Sequence, residues 1–348
     1  MTPLPFPPLH ATLLSRLRRS LASRDLLPAS TRVLLAISGG QDSLALAELL
    51  RTIRTRTTPP PWPSLALAYC DHRWPHDHGI RHHVSAYARK AALPLHVFDA
   101  ADAPPGASES AAREWRYAAL SSLALNHGFQ AVVTGHTRTD LAETVLFNLA
   151  HGAGSDGLSA MTWRRTLCEG VTLVRPLLDI SREETGRFCE EEGLHVWRDV
   201  YNDDAKFARN RVRKTVMPAL KEALHGKVEE GLARSATLLR DESDYLERVA
   251  ARVFDRVVCL LADRLKIDRE LLRKESVPVQ RRVVRRALRE GLGVKHRRSV
   301  FKHVEAVRAL VADDVGSAAA SLVWGSEAKV VSDRWIEIRE PVQVEAEG

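Results

Sequence analysis

The chain has few cysteines, and none of them is placed to bind a metal or to build a disulfide framework. Its 348 residues contain four, far apart and without a CxxC pair: Cys70, Cys168, Cys189 and Cys259. This spacing argues against a disulfide scaffold, a zinc knuckle and an iron–sulfur site. It is typical of a protein that works in a reducing compartment such as the cytosol.

Several further sequence features are missing. No apolar run approaches the roughly 20 residues of a transmembrane helix, which predicts a protein with no membrane span. No GxxxxGKS or GxxxxGKT motif occurs, which excludes a Walker A nucleotide-binding loop. No internal repeat or low-complexity tract is present either, so the fold has to be read from the order of its helices and strands.

The composition is ordinary for a globular protein, with an excess of positive charge. Hydrophobic residues make up 45% of the chain and charged residues 27%. A chain of 348 residues is long enough for two domains with their own cores. The net charge of +7 favours an anionic partner, and nucleic acid is the partner that best fits such a charge.

One segment of six residues carries most of the functional signal. It follows an apolar run at 32–37, which predicts a buried parallel strand, and it precedes a helical pattern at 44–50. Its two glycines allow positive φ and a close approach of the backbone, and a helix N-terminus attracts anions. The segment consists of Ser38, Gly39, Gly40, Gln41, Asp42 and Ser43.

Asp42 narrows the kind of anion that this turn can bind. A carboxylate repels phosphate unless a divalent cation lies between them. The hydroxyls of Ser38 and Ser43 add hydrogen-bond donors. We therefore interpret the turn as the site of a metal-bridged polyphosphate; a plain Ser/Gly turn that closes a βα unit is the alternative.

Strand-like and helix-like segments alternate over the first 200 residues. Predicted strands at 32–37, 65–70, 95–98 and 131–134 are separated by helical patterns. This order predicts an α/β fold with a doubly wound parallel sheet. Because ligands of such sheets bind at the carboxyl ends of strands, we expect residues that follow the strands to converge on one site: Ser38, Asp71 and His136.

The pattern changes near residue 216. Helical periodicity continues to 312 and is followed by short strand-like runs, which predicts a smaller, mainly helical C-terminal domain that ends in strands. We therefore expect an N-terminal helix at 1–29, an α/β domain at 30–215 and a second domain at 216–348.

The N-terminal segment allows two interpretations. Residues 1–24 contain four arginines and no acid, as in an organelle transit peptide. Four leucines, however, recur at helical spacing, and we favour a helix packed on the domain. They are Leu13, Leu14, Leu17 and Leu21.

A pair of acids follows the fourth strand. Asp140 and Glu143 lie one helical turn apart, with Thr139 as a candidate helix cap. We expect Asp140 to face a metal-bound triphosphate opposite Asp42, with His136 near the adenylate. A solvated acidic face is the alternative interpretation.

Arginines recur in three segments. On the predicted helix from 108 to 126, Arg113 and Arg116 allow two interpretations. They belong to a stripe of surface salt bridges, or one of them directs its guanidinium to a phosphate. The segment 199–213 either contacts phosphates of nucleic acid or of ATP, or is a charged helix entry. Its arginines are Arg209, Arg211 and Arg213.

The third arginine-rich segment, 281–302, contains nine lysines or arginines and a single acid, Glu290. An apolar stripe predicts a packed helix with a basic face, which favours contact with an RNA backbone over a solvated surface. The arginines that we expect to make this contact include Arg281, Arg285 and Arg286.

Seven motifs occur in one order along the chain: SGGQDS, CDHRW, ESAAREWRY, TGHTRTDLAET, HGAGSDGLSAM, VRPLLDISREE and DVYNDDAKFARNRVR. In this order and spacing the chain resembles the tRNA(Ile)-lysidine synthases, and CDHRW and the GHTxxD form resemble the cyanobacterial and plastid branch. The turn at 38–43 resembles the PP-loop of ATP pyrophosphatases, which implies an adenine nucleotide alpha hydrolase-like fold.

The resemblance implies a two-step reaction. ATP adenylates the wobble cytidine of a tRNA(Ile) with a CAU anticodon at C2, through O2, and pyrophosphate leaves. Free L-lysine then attacks C2 and expels AMP, which gives lysidine. The implied co-substrate is ATP with Mg²⁺, and dimers are common in the family. The implied compartment is the cytoplasm, or the plastid stroma if the N-terminus is a transit peptide.

The resemblance also assigns roles to residues of this sequence. It implies ATP binding by residues 38–43 and His136, Mg²⁺ binding by Asp42 and Asp140, and a catalytic role for Asp42, Asp140, Arg113 and Arg209. From their positive charge, the residues that we expect to bind tRNA are Arg116, Arg211, Arg213, Arg281, Arg285 and Arg286.

The chain departs from many relatives at Thr139, where they have a second aspartate, and at His151, where they have arginine. A PP-loop thiolase and a tRNA-binding protein without catalysis are the rival interpretations. The absence of cysteine pairs argues against the first, and intact Ser38, Asp42 and Asp140 argue against the second. The residues that recognise lysine, the group that accepts its proton and the basis for rejecting tRNA(Met) do not follow from the sequence.

Overall fold

A computed structural model describes residues 7–71, 79–99, 109–197, 208–261, 263–291, 300–312, 318–322 and 325–339. The chain divides into two compact units, Met1–Leu239 and Arg240–Gly348. The domain boundary expected near residue 216 lies before the division between these two units. Where independently folding domains divide stays a prediction. Among the described residues, no helix is both long enough and apolar enough to cross a membrane.

The first unit alternates helices and strands as the sequence predicts. Its strands are β1 Arg32–Ala36, β2 Ser64–Asp71, β3 Leu95–Asp99, β4 Ala131–Val133, β5 Arg164–Cys168 and β6 Val171–Val174. Its helices are α1 Pro8–Ser23, α2 Gln41–Arg56, α3 Ile80–Ala91, α4 Glu109–Asn126, α5 Arg138–Ala150, α6 Ser155–Leu158, α7 Arg182–Glu191, α8 Ala208–Arg211 and α9 Met217–Ala223, with a π-helical turn at Val212–Val216 before α9. Helix α10, Val228–Val257, runs from the first unit into the second.

These six strands form one sheet in the order β3-β2-β1-β4-β6-β5. All neighbours are parallel except β5, which pairs antiparallel with β6 at the edge. The chain leaves β1 toward β2 on one side and returns to β4 on the other. The carboxyl ends of β1 and β4 therefore flank the switch point at which α/β sheets bind their ligands. The predicted doubly wound fold is confirmed.

Side chains that alternate along the strands fill a core on each face of the sheet. Val33 and Leu35 pack with helices α1, α2, α3 and α7, whereas Leu34 faces helix α4 on the opposite side. In α1, the side chains of Leu13 and Leu17 are fully buried in the first of these cores. Residues 8–23 are therefore a helix of the folded unit.

The second unit combines helices with a small antiparallel sheet. Its further strands are β7 Val258–Leu260, β8 Arg264–Asp268, β9 Ala319–Ser321, β10 Glu327–Val330 and β11 Trp335–Arg339. Its further helices are α11 Arg269–Arg273, α12 Val277–Gly291 and α13 Val300–Ala312. The strand order is β7-β8-β11-β10-β9. The helical pattern from 216 to 312 hid β7 and β8, because both are short and lie between helices.

Candidate active site

The turn between β1 and α2 is held by its own serine hydroxyls. Gly39 has φ of +79°, a conformation that favours glycine, and Gly40 precedes the first residue of α2. The backbone N–H of Ser38 donates to Oγ of Ser43 at 3.2 Å, and Oγ of Ser43 donates to the carbonyl of Gly40 at 2.9 Å. The turn thus keeps its curvature at the N-terminus of α2, where anions are stabilised.

Gly135 allows the segment after β4 to approach this turn closely. A Cβ atom at position 135 would lie 2.9 Å from the carbonyl carbon and oxygen of Asp42 and 3.0 Å from the backbone nitrogen of Ser43. Only glycine avoids these backbone contacts. The N-terminus of α5 is therefore set beside the N-terminus of α2.

Asp42 is mostly buried and bonds to one basic and one polar side chain of α7. Arg182 Nη1 donates to its Oδ2 at 3.0 Å, and Thr185 Oγ1 donates to its Oδ1 at 2.5 Å. Burial raises the pKa of Asp42 to about 6, with Arg182 opposing the rise and the nearby carboxylate of Asp140 adding to it. The two carboxylates that the sequence predicts to converge do so.

Helix α7 is the part of the site that the sequence interpretation missed. Besides holding Asp42, it accepts the side chain of Gln41, whose Nε2 donates to the carbonyl of Arg182 at 2.5 Å and to Thr185 Oγ1 at 3.2 Å. The Gln41 side chain thus anchors α2 to α7, and its predicted contact with ATP stays a prediction. Ser181 and Glu184 form a capping box at the start of α7, and this was the available sequence signal for the helix.

The expectation that Thr139 caps helix α5 is wrong. The helix begins at Arg138, so Thr137 is the N-cap, and it forms a capping box with Asp140. Thr139 Oγ1 instead donates to Glu229 Oε2 at 2.7 Å and accepts from the backbone N–H of Arg182 at 3.1 Å. Thr139 therefore links α5 to α7 and α10.

The acids of α5 form a partly buried cluster with two arginines rather than a solvated face. Asp140 Oδ1 accepts from Arg209 Nη2 at 3.1 Å and from Arg213 Nη2 at 3.3 Å. Glu143 is fully buried and accepts from Arg213 Nε at 2.6 Å and Nη2 at 2.9 Å, and from Arg209 Nε at 3.3 Å. Burial alone would raise the pKa of Asp140, but Arg209, His136 and the backbone N–H of Thr137 lower it.

His136 follows β4 and lies next to this cluster. Its Nδ1 is 2.9 Å from Oγ1 of Thr134. Burial lowers the pKa of His136 well below its ordinary value; Asp140 opposes this, and Arg175, Arg209 and Arg113 add to it. The imidazole is therefore neutral at pH 7, and Arg113 of helix α4 is one of the charges that lower its pKa.

The predicted tRNA-binding arginines lie in different surroundings. Arg116 and Arg211 are exposed in the first unit, whereas Arg213 is bound to Glu143 in the acid cluster. On α12, each predicted arginine has a glutamate partner: Arg281 with Glu305 at 2.7 Å, Arg285 with Glu247 at 3.3 Å and Arg286 with Glu290 at 2.8 Å. Their contacts with tRNA stay predictions. Residues 72–74 of the CDHRW motif lie outside the described residues, and Asp71 ends β2.

A cavity of about 480 Å³ opens beside the acid cluster. Its lining carries charges of both signs from α5, α7, the π-helical turn, α9 and α10, including Glu143, Arg182, Glu190, Arg213, Lys221 and Glu229. Such a lining suits a small ligand that carries both positive and negative groups.

The carboxylates fit a magnesium ion that is shared with substrate phosphates. Mg²⁺ commonly takes one or two carboxylates and completes its shell with phosphates and water. Asp42 and Asp140 are close enough for one to raise the pKa of the other, a repulsion that a divalent cation would relieve. Among the residues that the structure describes, no group of three or more His, Cys, Asp or Glu side chains could hold a metal ion by itself.

Comparison with known proteins identifies the family. A model described as PP-loop domain matches residues 11–220. A tRNA(Ile)-lysidine synthase of Synechocystis is 43% identical over 79% of this chain and 82% of its own length. One of Nostoc is 38% identical over 95% and 96%, and a chloroplastic one of Zygnema circumcarinatum is 30% identical over 85% and 79%.

A solved structure supports the fold. The U34-tRNA thiolase of Methanococcus maripaludis, with its 4Fe–4S cluster, aligns with a TM-score of 0.57 at 17% identity, over 67% of this chain and 79% of that one. In this chain all four cysteines are free, two of them buried. With the turn, the acid cluster and these relatives in agreement, the chain belongs to the tRNA(Ile)-lysidine synthases, a family of PP-loop enzymes.

Proposed function

We propose that this chain joins L-lysine to the wobble cytidine of a tRNA(Ile) with a CAU anticodon, in two steps that consume ATP. The cytidine is first adenylated at C2, through O2, with release of pyrophosphate. The ε-amine of lysine then attacks C2 and AMP leaves. The observation that carries this proposal is the acid pair beside the glycine turn: the buried Asp42 interacts electrostatically with Asp140, which in turn interacts with the neutral His136.

In the adenylation step, the chain has to hold the triphosphate and neutralise charge at the α-phosphate. We assign the first task to the turn at 38–43 and the second to Arg113, which lies within electrostatic reach of His136. Asp42 and Asp140 would hold Mg²⁺, which supplies charge neutralisation on the phosphates when bound. Arg209 and Arg213 keep the buried carboxylate of Asp140 ionised.

The second step needs a neutral amine, whereas a lysine side chain has an ordinary pKa of about 10.4. A carboxylate or phosphate oxygen at the site accepts that proton. The cavity beside Glu143 supports binding of free lysine here, because the amino acid carries two ammonium groups and one carboxylate and the lining offers both signs of charge. The cytidine has to leave its stack to reach the site.

The test is incubation of the purified protein with ATP, Mg²⁺, labelled lysine and an isoleucine tRNA that carries a CAU anticodon. We expect the label to enter this tRNA, and not an otherwise identical tRNA whose wobble base is uracil. Sulfur incorporation in its place would establish a thiolase. Binding of tRNA without any release of pyrophosphate would establish a binding protein.

The basic helix α12 gives a second measurable expectation. Replacing both Arg285 and Arg286 with alanine should weaken tRNA binding about tenfold at low salt. The slope of log K against log salt concentration should fall by about two, one for each lost phosphate contact. Binding of ATP should not change. The matched control is Arg256→Ala. It removes an exposed arginine of helix α10 in the same unit, whose partner is Glu275.

Unchanged tRNA affinity of the α12 variant at moderate salt, or an equal loss in the Arg256 control, would refute this assignment. Circular dichroism has to accompany the binding curves, because the Arg286 guanidinium also stacks on Phe254 at 4.3 Å.

We further propose a homodimer that works in the cytoplasm, with the plastid stroma as the alternative compartment. The family resemblance supports the dimer. The relatives include cyanobacterial enzymes and one named chloroplastic, so both compartments agree with the comparisons.

A further inference from the structure

Three arginines surround one tyrosine of helix α4. The guanidinium carbons of Arg113 and Arg165 lie 5.4 Å and 5.0 Å from the centre of the Tyr117 ring. Arg175 Nη2 donates to the Tyr117 hydroxyl at 3.4 Å. These arginines come from α4, from strand β5 and from the position directly after β6, so the tertiary fold assembles the cluster.

The cluster carries positive charge without a negative partner. Within the described part of the chain, no carboxylate forms an ion pair with Arg113, Arg165 or Arg175. Arg164, the neighbour of Arg165 on β5, behaves differently and lies 3.8 Å from a carboxylate oxygen of Asp25. Arginines gathered around a tyrosine without an acid are suited to an anionic ligand.

One guanidinium of the cluster is buried and rigidly placed. Arg175 is only 2% exposed, and its Nη1 donates to the carbonyl of Thr162 at 2.8 Å. Its buried Nε has no hydrogen-bond partner in the structure. Arg165 is exposed on the edge strand β5, where a large ligand can reach it. The pair thus combines a fixed inner charge with an accessible outer donor.

The position of the cluster separates it from the nucleotide turn. That turn follows β1, His136 follows β4, and Arg175 follows β6, in the order in which these strands lie in the sheet. Neighbouring strands are about 4.8 Å apart, so Arg175 lies roughly 10 Å from the turn across the sheet. A triphosphate tail bound at the turn and metal is therefore not the anion that the outer arginine meets.

We propose that Arg165 and Tyr117 bind a backbone phosphate of the RNA substrate next to the nucleotide that is modified, with the buried Arg175 fixing the tyrosine hydroxyl beside them. This site rests on the proposed function, because it places the RNA on the far side of His136 from the ATP phosphates. The fork of a guanidinium matches two phosphate oxygens, and the tyrosine hydroxyl supplies a further donor.

The test compares two neighbouring arginines on the same strand. We expect Arg165→Ala to weaken tRNA binding about fivefold to tenfold, with ATP affinity unchanged. The slope of log K against log salt concentration should fall by about one. Tyr117→Phe should weaken binding by a smaller factor. The control Arg164→Ala removes the same charge one residue away and should leave tRNA affinity within about twofold of the wild type.

Equal losses in Arg164→Ala and Arg165→Ala would overturn the site, because they would show a general effect of charge. Weaker ATP binding by Arg165→Ala with intact tRNA affinity would also overturn it, by assigning the cluster to the nucleotide. Wild-type protein that binds the tRNA but incorporates no lysine would contradict the proposed function alone. Wild-type incorporation with an unaffected Arg165 variant would contradict this site alone.

Discussion

Asp42→Asn should abolish lysine incorporation, by about a thousandfold or more, in a protein that is at least as stable as the wild type. The carboxylate of Asp42, at the N-terminus of α2, is close enough to Asp140 of α5 for the two to interact, and both would hold the cation on the triphosphate. An amide keeps the shape and can still accept from Arg182 or Thr185, but it lacks the negative charge. Release of pyrophosphate should be lost together with lysine transfer.

The stability of this variant follows from the direction of the pKa shift. The pKa of Asp42 rises from 3.8 to about 6 on folding, mainly through burial, so folding favours the protonated form. The ionised carboxylate therefore costs stability as the pH rises from about 4 through 6, by up to roughly 3 kcal/mol at pH 7. The neutral amide avoids that cost, so its melting temperature at pH 7, without metal and nucleotide, should equal or exceed that of the wild type.

Glu191→Gln serves as the control, since it neutralises an exposed acid at the end of α7. It should retain activity and melting temperature. A fully active Asp42→Asn, or one that unfolds at pH 7, would contradict the role and the environment assigned to this carboxylate.

Glu143→Ala should lower the free energy of unfolding by about 3–5 kcal/mol. Glu143 is fully buried and accepts three hydrogen bonds from Arg209 and Arg213. Its removal leaves the Arg213 guanidinium, itself only 19% exposed, without its main partner. Urea denaturation at pH 7 measures this loss, and lysine incorporation should fall as Arg209 and Arg213 shift relative to Asp140.

Two companion variants separate a lost charge pair from lost packing. Glu143→Gln keeps the volume and a hydrogen-bond acceptor, so it should cost less than the alanine variant. The double variant Glu143→Ala with Arg213→Ala should recover part of the stability, because it removes the unpartnered charge as well. A loss below about 1 kcal/mol in Glu143→Ala would show that the cluster contributes little to the fold.

The parts of the fold and site that follow from the sequence are those written in local patterns. The strand, turn and helix around 38–43 lie in one short segment, and the carboxyl ends of parallel strands bring Asp42, His136 and Asp140 together. Apolar runs separated by helical patterns were therefore enough to predict both the sheet and the convergence of these side chains.

Contacts between distant segments could not be predicted in this way. Arg182 and Asp42 are 140 residues apart in the chain, and the pattern around Arg182 shows only a helix start. Arg213 was expected at a phosphate, yet its guanidinium lies against the fully buried Glu143. Likewise, the density of arginines on α12 gave no sign that glutamates from α10 and α13 lie beside Arg285 and Arg281.

Helix α7 has a consequence for anyone who transplants this nucleotide site between relatives. Its Thr185 and Arg182 hold Asp42, Phe188 is buried one turn further along, and Glu192, directly after the helix, bonds to His10 of α1. A chimaera that exchanges only the glycine turn would set a foreign aspartate against the wrong support. A transfer that keeps the site functional should include helices α1, α2 and α7 together, although they are far apart in the sequence.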